Sequence, residues 1–224
     1  MNILHREELP LGGFAGLIEH QLVKTPSVFG FSANNDGSWS GIGNFVYLAD
    51  AKFQPFGETH MHPHHEVDVI SVMVDGRIKH RGSLGDGNLL LAEDVQVQRA
   101  GGEGFIHNEI NPDETWNRMI QLWVLPEQQG QESDYKVYKP NMGKFVRIYG
   151  GNESVDFPAR TKIDIGLFKK EQQIKFDGEF LAYLLVGKGI ANNELVVEGD
   201  LFRGNSLSFE AQEEVRLLLI NTEQ

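Results

Sequence analysis

Every apolar run in this chain has the length of a strand, and that feature limits its fold more than any other. "FVYLA" (45–49), "VDVISVMVDG" (67–76), "NLLLAEDVQVQRAGG" (88–102) and "MIQLWVL" (119–125) alternate or stay brief, and Gly, Asn or Asp bounds them. "KFVRIYGG" (144–151), "EFLAYLLVGKG" (179–189), "NELVVEGD" (193–200) and "EVRLLLI" (214–220) do the same later. Periodicity at 3.6 residues is scarce, so the sequence reads as all-β. "DGRI" and "LGDGN" suit hairpin turns, because glycine tolerates positive φ.

The second half repeats the plan of the first. "VISVMVDG", "LLLAEDVQVQ" and "GFIHNE" run parallel to "LAYLLVGKG", "LVVEGDLFRG" and "VRLLLINTE", with acidic turns at Asp94 and Asp200. Two successive all-β units of one plan predict two jelly-roll β-barrels in tandem. The polar stretch "EQQGQESD" (127–134) is the natural exit from the first. We therefore expect units at 1–130 and 131–224.

The halves differ in chemistry. All eight histidines lie at or before residue 107, and His60, His62, His64 and His65 fall within six positions. Residues two apart on a strand share a face, so His62 and His64 project together. His107 and Glu109 repeat that spacing in "GGEGFIHNEI". If the two strands face each other, three imidazoles and one carboxylate converge. Such mixed N/O ligation without sulfur suits iron, manganese, nickel, copper or zinc, and leaves open positions for water, O₂ or a chelating substrate. Spacing alone leaves His60 with His62 as a rival register, and Glu66 and Asp68 share that parity in a regular strand. His65 has the opposite parity, and His80 in "KHRGSLGDG" suits a turn hydrogen bond. Where the second half corresponds to the histidine cluster it has "EQQIKF" (171–176), with no good metal ligand among Gln172, Gln173, Ile174 and Lys175.

Composition removes several alternatives. A net charge of −12 argues against direct contact with nucleic-acid phosphates, which calls for basic patches. The absence of cysteine excludes disulfides, thiolate metal sites and cysteine nucleophiles. No apolar run approaches the roughly 18 residues of a membrane span. "MNILHREELPLGGF" has neither the basic nor the apolar region of a signal peptide, so a cytoplasmic protein is expected.

"HPHHEVDVISVMVDGRIKHRGSLGDG", "AEDVQVQRAGGEGFIHNEIN" and "IQLWVLP" together resemble the pirin family of the cupin superfamily. The resemblance is strong over residues 57–126 and weaker in "TKIDIGLFKKEQQIKF". It implies a bicupin whose N-terminal barrel holds one divalent ion, typically iron, while the C-terminal barrel is metal-free. It also implies the register: His62, His64, His107 and Glu109 match the family's ligands. The chain departs from the pattern after H-P-H, where His65, Glu66, Val67 and Asp68 replace the usual Arg, Gly, Phe and Glu. Similarity to quercetinases implies a dioxygenase that cleaves flavonol-like phenols with O₂, in which Glu109 accepts the substrate's hydroxyl proton. The family's other role, a regulatory module that binds a transcription factor or a metabolic enzyme, is the alternative.

Overall fold

The computed structural model describes residues 1–152 and 156–223. Strand β1 (Asn2–His5) opens the chain. Eleven strands follow up to residue 139: β2 (Gly12–Phe14), β3 (Leu17–Lys24), β4 (Phe45–Phe53), β5 (His62–His64), β6 (Asp68–Asp75), β7 (Arg77–Gly82), β8 (Leu89–Leu91), β9 (Val95–Arg99), β10 (Phe105–Ile110), β11 (Arg118–Val124) and β12 (Asp134–Tyr138). Seven more complete the chain: β13 (Phe145–Gly151), β14 (Ala159–Phe168), β15 (Gln173–Val186), β16 (Lys188–Ala191), β17 (Glu194–Val197), β18 (Asp200–Ala211) and β19 (Val215–Thr222). Among the described residues a 3-10 turn at Arg6–Glu8 and one short α-helix, α1 (Pro26–Phe29), interrupt the pattern.

The chain divides into two compact units. One comprises Leu9–Ser40 and Asn44–Lys139; the other comprises Met1–Glu8, Gly41–Gly43 and Pro140–Gln224. Against the expected 1–130 and 131–224, the first residues change sides, because β1 pairs with β18. The boundary also moves to residue 139, because β12 pairs with β9.

The first unit is a double layer. A seven-stranded sheet in the order β12-β9-β6-β11-β4-β3-β2 faces a four-stranded sheet in the order β5-β10-β7-β8. Leu17, Ala51, Phe53, Met73 and Met119 of the large sheet bury against Ile78 and Leu90 of the small one. Both sheets keep free edges, so the layers are open jelly-roll walls rather than closed cylinders. Gly76 alone links β6 to β7. It sits at φ 71°, and a Cβ there would lie 2.7 Å from that of Asn117, so no larger residue fits this turn.

On the face of the large sheet turned away from this core, Arg118 donates from Nε and Nη2 to the two oxygens of Asp50, at 2.9 and 2.6 Å. Both residues are buried. Removing one partner of a buried pair is costly. Asp50→Ala is expected to lower unfolding stability by about 3–5 kcal/mol, read from denaturant melts; a change below about 1 kcal/mol would show that the pair adds no more than an exposed one.

The second unit is a single eight-stranded sheet, β13-β14-β19-β15-β18-β16-β17 with β1 beside β18. Its plan repeats the first. Gly187 makes the one-residue turn between β15 and β16, at φ 88°, as Gly76 does between β6 and β7. Asp94 accepts the Leu91 N–H at 3.0 Å, and Asp200 accepts the Val197 N–H at 2.8 Å. The third leg of the repeat differs from expectation: β10 corresponds not to 215–222 but to the C-terminal part of β18. Glu109 stands opposite His80 as Phe209 stands opposite Ala191, and His62 pairs with His107 as Phe176 pairs with Leu207. Phe176, Leu207 and Phe209 therefore occupy the places of His62, His107 and Glu109; Leu207 and Phe209 belong to the unit's apolar core, and the partly buried Phe176 packs against it.

Candidate metal centre

β5 and β10 pair antiparallel at the end of the small sheet, with His62 directly opposite His107. His62 and His64 share a face, as strand alternation requires, and their rings lie 5.0 Å apart. All three imidazoles turn into the space between the sheets. The Nε2 atoms of His64 and His107 stand 3.1 Å apart, and those of His107 and His62 stand 3.0 Å apart. Among the described residues these three histidines are the group of side chains placed to hold a metal ion, with ligand atoms within 4.8 Å of one another.

The tautomers favour a cation. His62 donates from Nδ1 to the His60 carbonyl at 2.8 Å, which leaves its Nε2 lone pair facing inward. Burial, and then His62, hold the His64 pKa down to about 4. Burial, and then His64, His62 and His80, push that of His107 down to about 2. Neutral imidazoles whose lone pairs converge repel unless a cation sits among them. Two nitrogens bound to one ion at about 2.1 Å, at an angle near 90°, stand roughly 3.0 Å apart, which is the separation found here. The donor set therefore fits a divalent first-row metal.

Glu109, expected as the fourth ligand, lines the same cavity but is not in the three-nitrogen cluster. Its Oε1 accepts the Ser71 hydroxyl at 2.8 Å, and its backbone N–H donates to Thr59 Oγ1 at 3.0 Å. Burial pushes its carboxyl up to about 7. The other histidines serve elsewhere. His65 is exposed, with Nε2 2.9 Å from the Gly102 carbonyl. His60 is exposed at φ 63° and contributes its backbone carbonyl rather than its ring. His80 is buried, and its Nε2 donates to the Leu84 carbonyl at 2.8 Å, the turn hydrogen bond expected of it.

The cavity has a volume of about 50 Å³. Phe14, Leu17, Met119 and Trp123 give it apolar walls, and Glu19, Tyr47 and Gln121 add polar groups that the histidine spacing does not reveal. For Gln121 the signal was strand parity: it alternates with the buried Ile120 and Leu122, and so shares one face of β11 with Met119 and Trp123.

Three imidazoles turned into an apolar cavity of a layered β unit make a candidate metal centre. Residues 27–124, a little under half of the chain, match the family described as Pirin. A Zymomonas mobilis protein provisionally named a quercetin 2,3-dioxygenase is 27% identical over 222 residues, 92% of this chain and 94% of its own. The Escherichia coli protein named quercetin 2,3-dioxygenase is 25% identical over 122 residues, 54% of this chain and 52% of its own. The crystal structure of the bacterial pirin YhhW from Escherichia coli, solved in complex with nickel(II), superposes with a TM-score of 0.83 at 16% identity, over 99% of this chain and 98% of that one. At that identity the likeness shows the fold alone. No helix among the described residues is long and apolar enough to cross a membrane.

Proposed function

We infer that the chain is a mononuclear metal-dependent oxygenase of the quercetin 2,3-dioxygenase type, acting on flavonol-like phenols with O₂. The convergence of three imidazole Nε2 atoms beside a buried carboxyl, in an apolar cavity, carries this reading. His62, His64 and His107 would hold one divalent ion, iron in our reading, with Glu109 as a fourth ligand. When bound, the ion would supply Lewis-acid and redox chemistry toward the substrate's oxygens and O₂. The protein's own groups do the rest. Glu109 takes the proton of the substrate hydroxyl, while the Ser71 hydroxyl holds Oε1. Leu17 and Met119 keep water from the deprotonated phenol. The names of the Zymomonas mobilis and Escherichia coli relatives support the reaction class.

A cavity of about 50 Å³ is small beside the roughly 300–1,000 Å³ of drug-sized ligand sites. It admits the oxygen-bearing edge of a ring; the remainder of a flavonol lies in the mouth, beside the half-exposed Phe14. The same smallness favours a second reading, a metal-holding module whose ligand is a protein partner. Oxygen uptake separates the two. Protein loaded with iron, manganese or nickel should consume O₂ when quercetin is added, and not before. Absence of uptake across all three metals and a flavonol panel would sink the oxygenase reading and favour the module.

A further inference from the structure

Polar groups on the cavity wall opposite the histidines have no part in holding a metal. Gln121 Nε2 and Trp123 Nε1, on one face of β11, are buried N–H donors with no hydrogen-bond partner. Well over nine in ten buried backbone polar groups, and most buried side-chain ones, find a partner. An orphaned donor costs about 1–3 kcal/mol, so two of them on same-face positions of one cavity point to a ligand that completes them.

The register sharpens the point. Gln121 stands opposite Ser71 on one side and Ala49 on the other, and Ala49 stands opposite Gln21. A polar row thus crosses the sheet as Ser71, Gln121 and Gln21. Both ends are engaged: Ser71 donates to Glu109, and Gln21 Nε2 donates to Glu19 Oε1 at 2.7 Å. The donor in the middle is not. Glu19 is itself buried, and the Tyr47 hydroxyl reaches its two oxygens at 3.4 and 3.3 Å. Trp123 cannot turn freely. It packs 4.6 Å from Tyr47, 6.0 Å from Phe29 and edge-on to His64 at 5.6 Å, so the direction of its N–H is fixed.

We propose that Gln121 and Trp123 are the substrate-orienting donors of this site, which together hold a carbonyl or ring oxygen of the bound molecule while Glu19 accepts one of its hydroxyls. The ligand class is a planar, polyhydroxylated ring compound with a carbonyl beside a hydroxyl. This assignment rests on the oxygenase reading for the ligand's identity, but not for the existence of the donor pair. An analogue without the accepting oxygen is rejected, because binding it seals both N–H groups away from water unpaired.

The test uses binding, not turnover. Zinc-loaded protein is titrated with two probes: quercetin and 3-hydroxy-2-methyl-4-pyranone, which carries the hydroxyl–carbonyl pair without the aryl ring. Gln121→Met and Trp123→Phe preserve size and packing. Each should weaken binding of the pyranone by about tenfold or more, while zinc stays at the wild-type level. The Trp123 indole proton, assigned by its loss in Trp123→Phe, should move downfield as the wild-type protein fills. Wild-type affinity in both variants for every probe that binds would overturn the proposal, and so would failure of the wild-type protein to bind either probe. If the pyranone binds with the expected losses and quercetin does not bind, the flavonol reading falls and the donor pair stands. If quercetin binds and both variants bind it as wild type, the donor pair falls and the flavonol reading stands.

Discussion

Alanine in place of His107 is expected to strip the protein of its metal. Loss of an outer-shell partner alone costs metal sites about 10–100-fold in affinity, so loss of the central ligand should cost more than about 100-fold. His107 is central by geometry: its Nε2 lies 3.0 Å from that of His62 and 3.1 Å from that of His64. His62→Ala should behave in the same way. His65→Ala should not, because its ring is exposed and turned to the Gly102 carbonyl. Elemental analysis of untagged protein reads the outcome, with circular dichroism to show that the β fold persists. The fold should persist, because His107 carries a buried Nδ1 with no partner and its ring faces an existing cavity. The experiment also reports on the second unit. Phe176, Leu207 and Phe209 stand where the first unit has His62, His107 and Glu109, so we propose that the second unit holds no metal. His107→Ala should then fall from one ion per chain to nearly none. Full metal retention would mean that the register is wrong; half retention from an initial two would locate a second site.

The sequence displayed the fold unevenly, for physical reasons. Strands buried on both faces, such as β6 and β19, announce themselves as apolar runs. β12 did not: it lies at a sheet edge, half exposed, and "DYKVY" follows a stretch composed like a linker. β1 was equally hidden, since its pairing with β18 spans nearly the whole chain and no local pattern records it. The repeat was visible in its turns, where Asp94 and Asp200 make the same backbone bond. It was misread in its third leg, because β18 runs unbroken where the first unit uses β9 and β10. For the site, H-x-H on a strand is enough to set His62 beside His64. The direction of the Glu109 carboxylate depends on Ser71, thirty-eight positions away, and was not legible. Gln121 and Trp123 looked like ordinary members of an apolar run until the register put them on the cavity wall.

Glutamine at position 109 should separate the two roles proposed for that carboxyl. The amide has the same shape and still accepts the Ser71 hydroxyl through its carbonyl oxygen, so the 2.8 Å contact that orients the side chain survives. It cannot take a proton from a phenol. Loss of a general base costs about 10²–10⁴-fold in rate, and oxygen uptake with quercetin should fall by that much. Metal content decides what the fall means. The three histidines form the cluster without Glu109, so the Glu109→Gln protein should keep most of its metal, unlike His107→Ala. Metal lost as fully as in His107→Ala would make Glu109 a ligand before anything else, and its rotation from Ser71 toward the imidazoles would be part of loading. Metal kept and turnover unchanged would remove Glu109 from the chemistry. The proton acceptor would then have to be sought in Glu19, the other buried carboxyl of the cavity, which burial also pushes up from the usual carboxylate range.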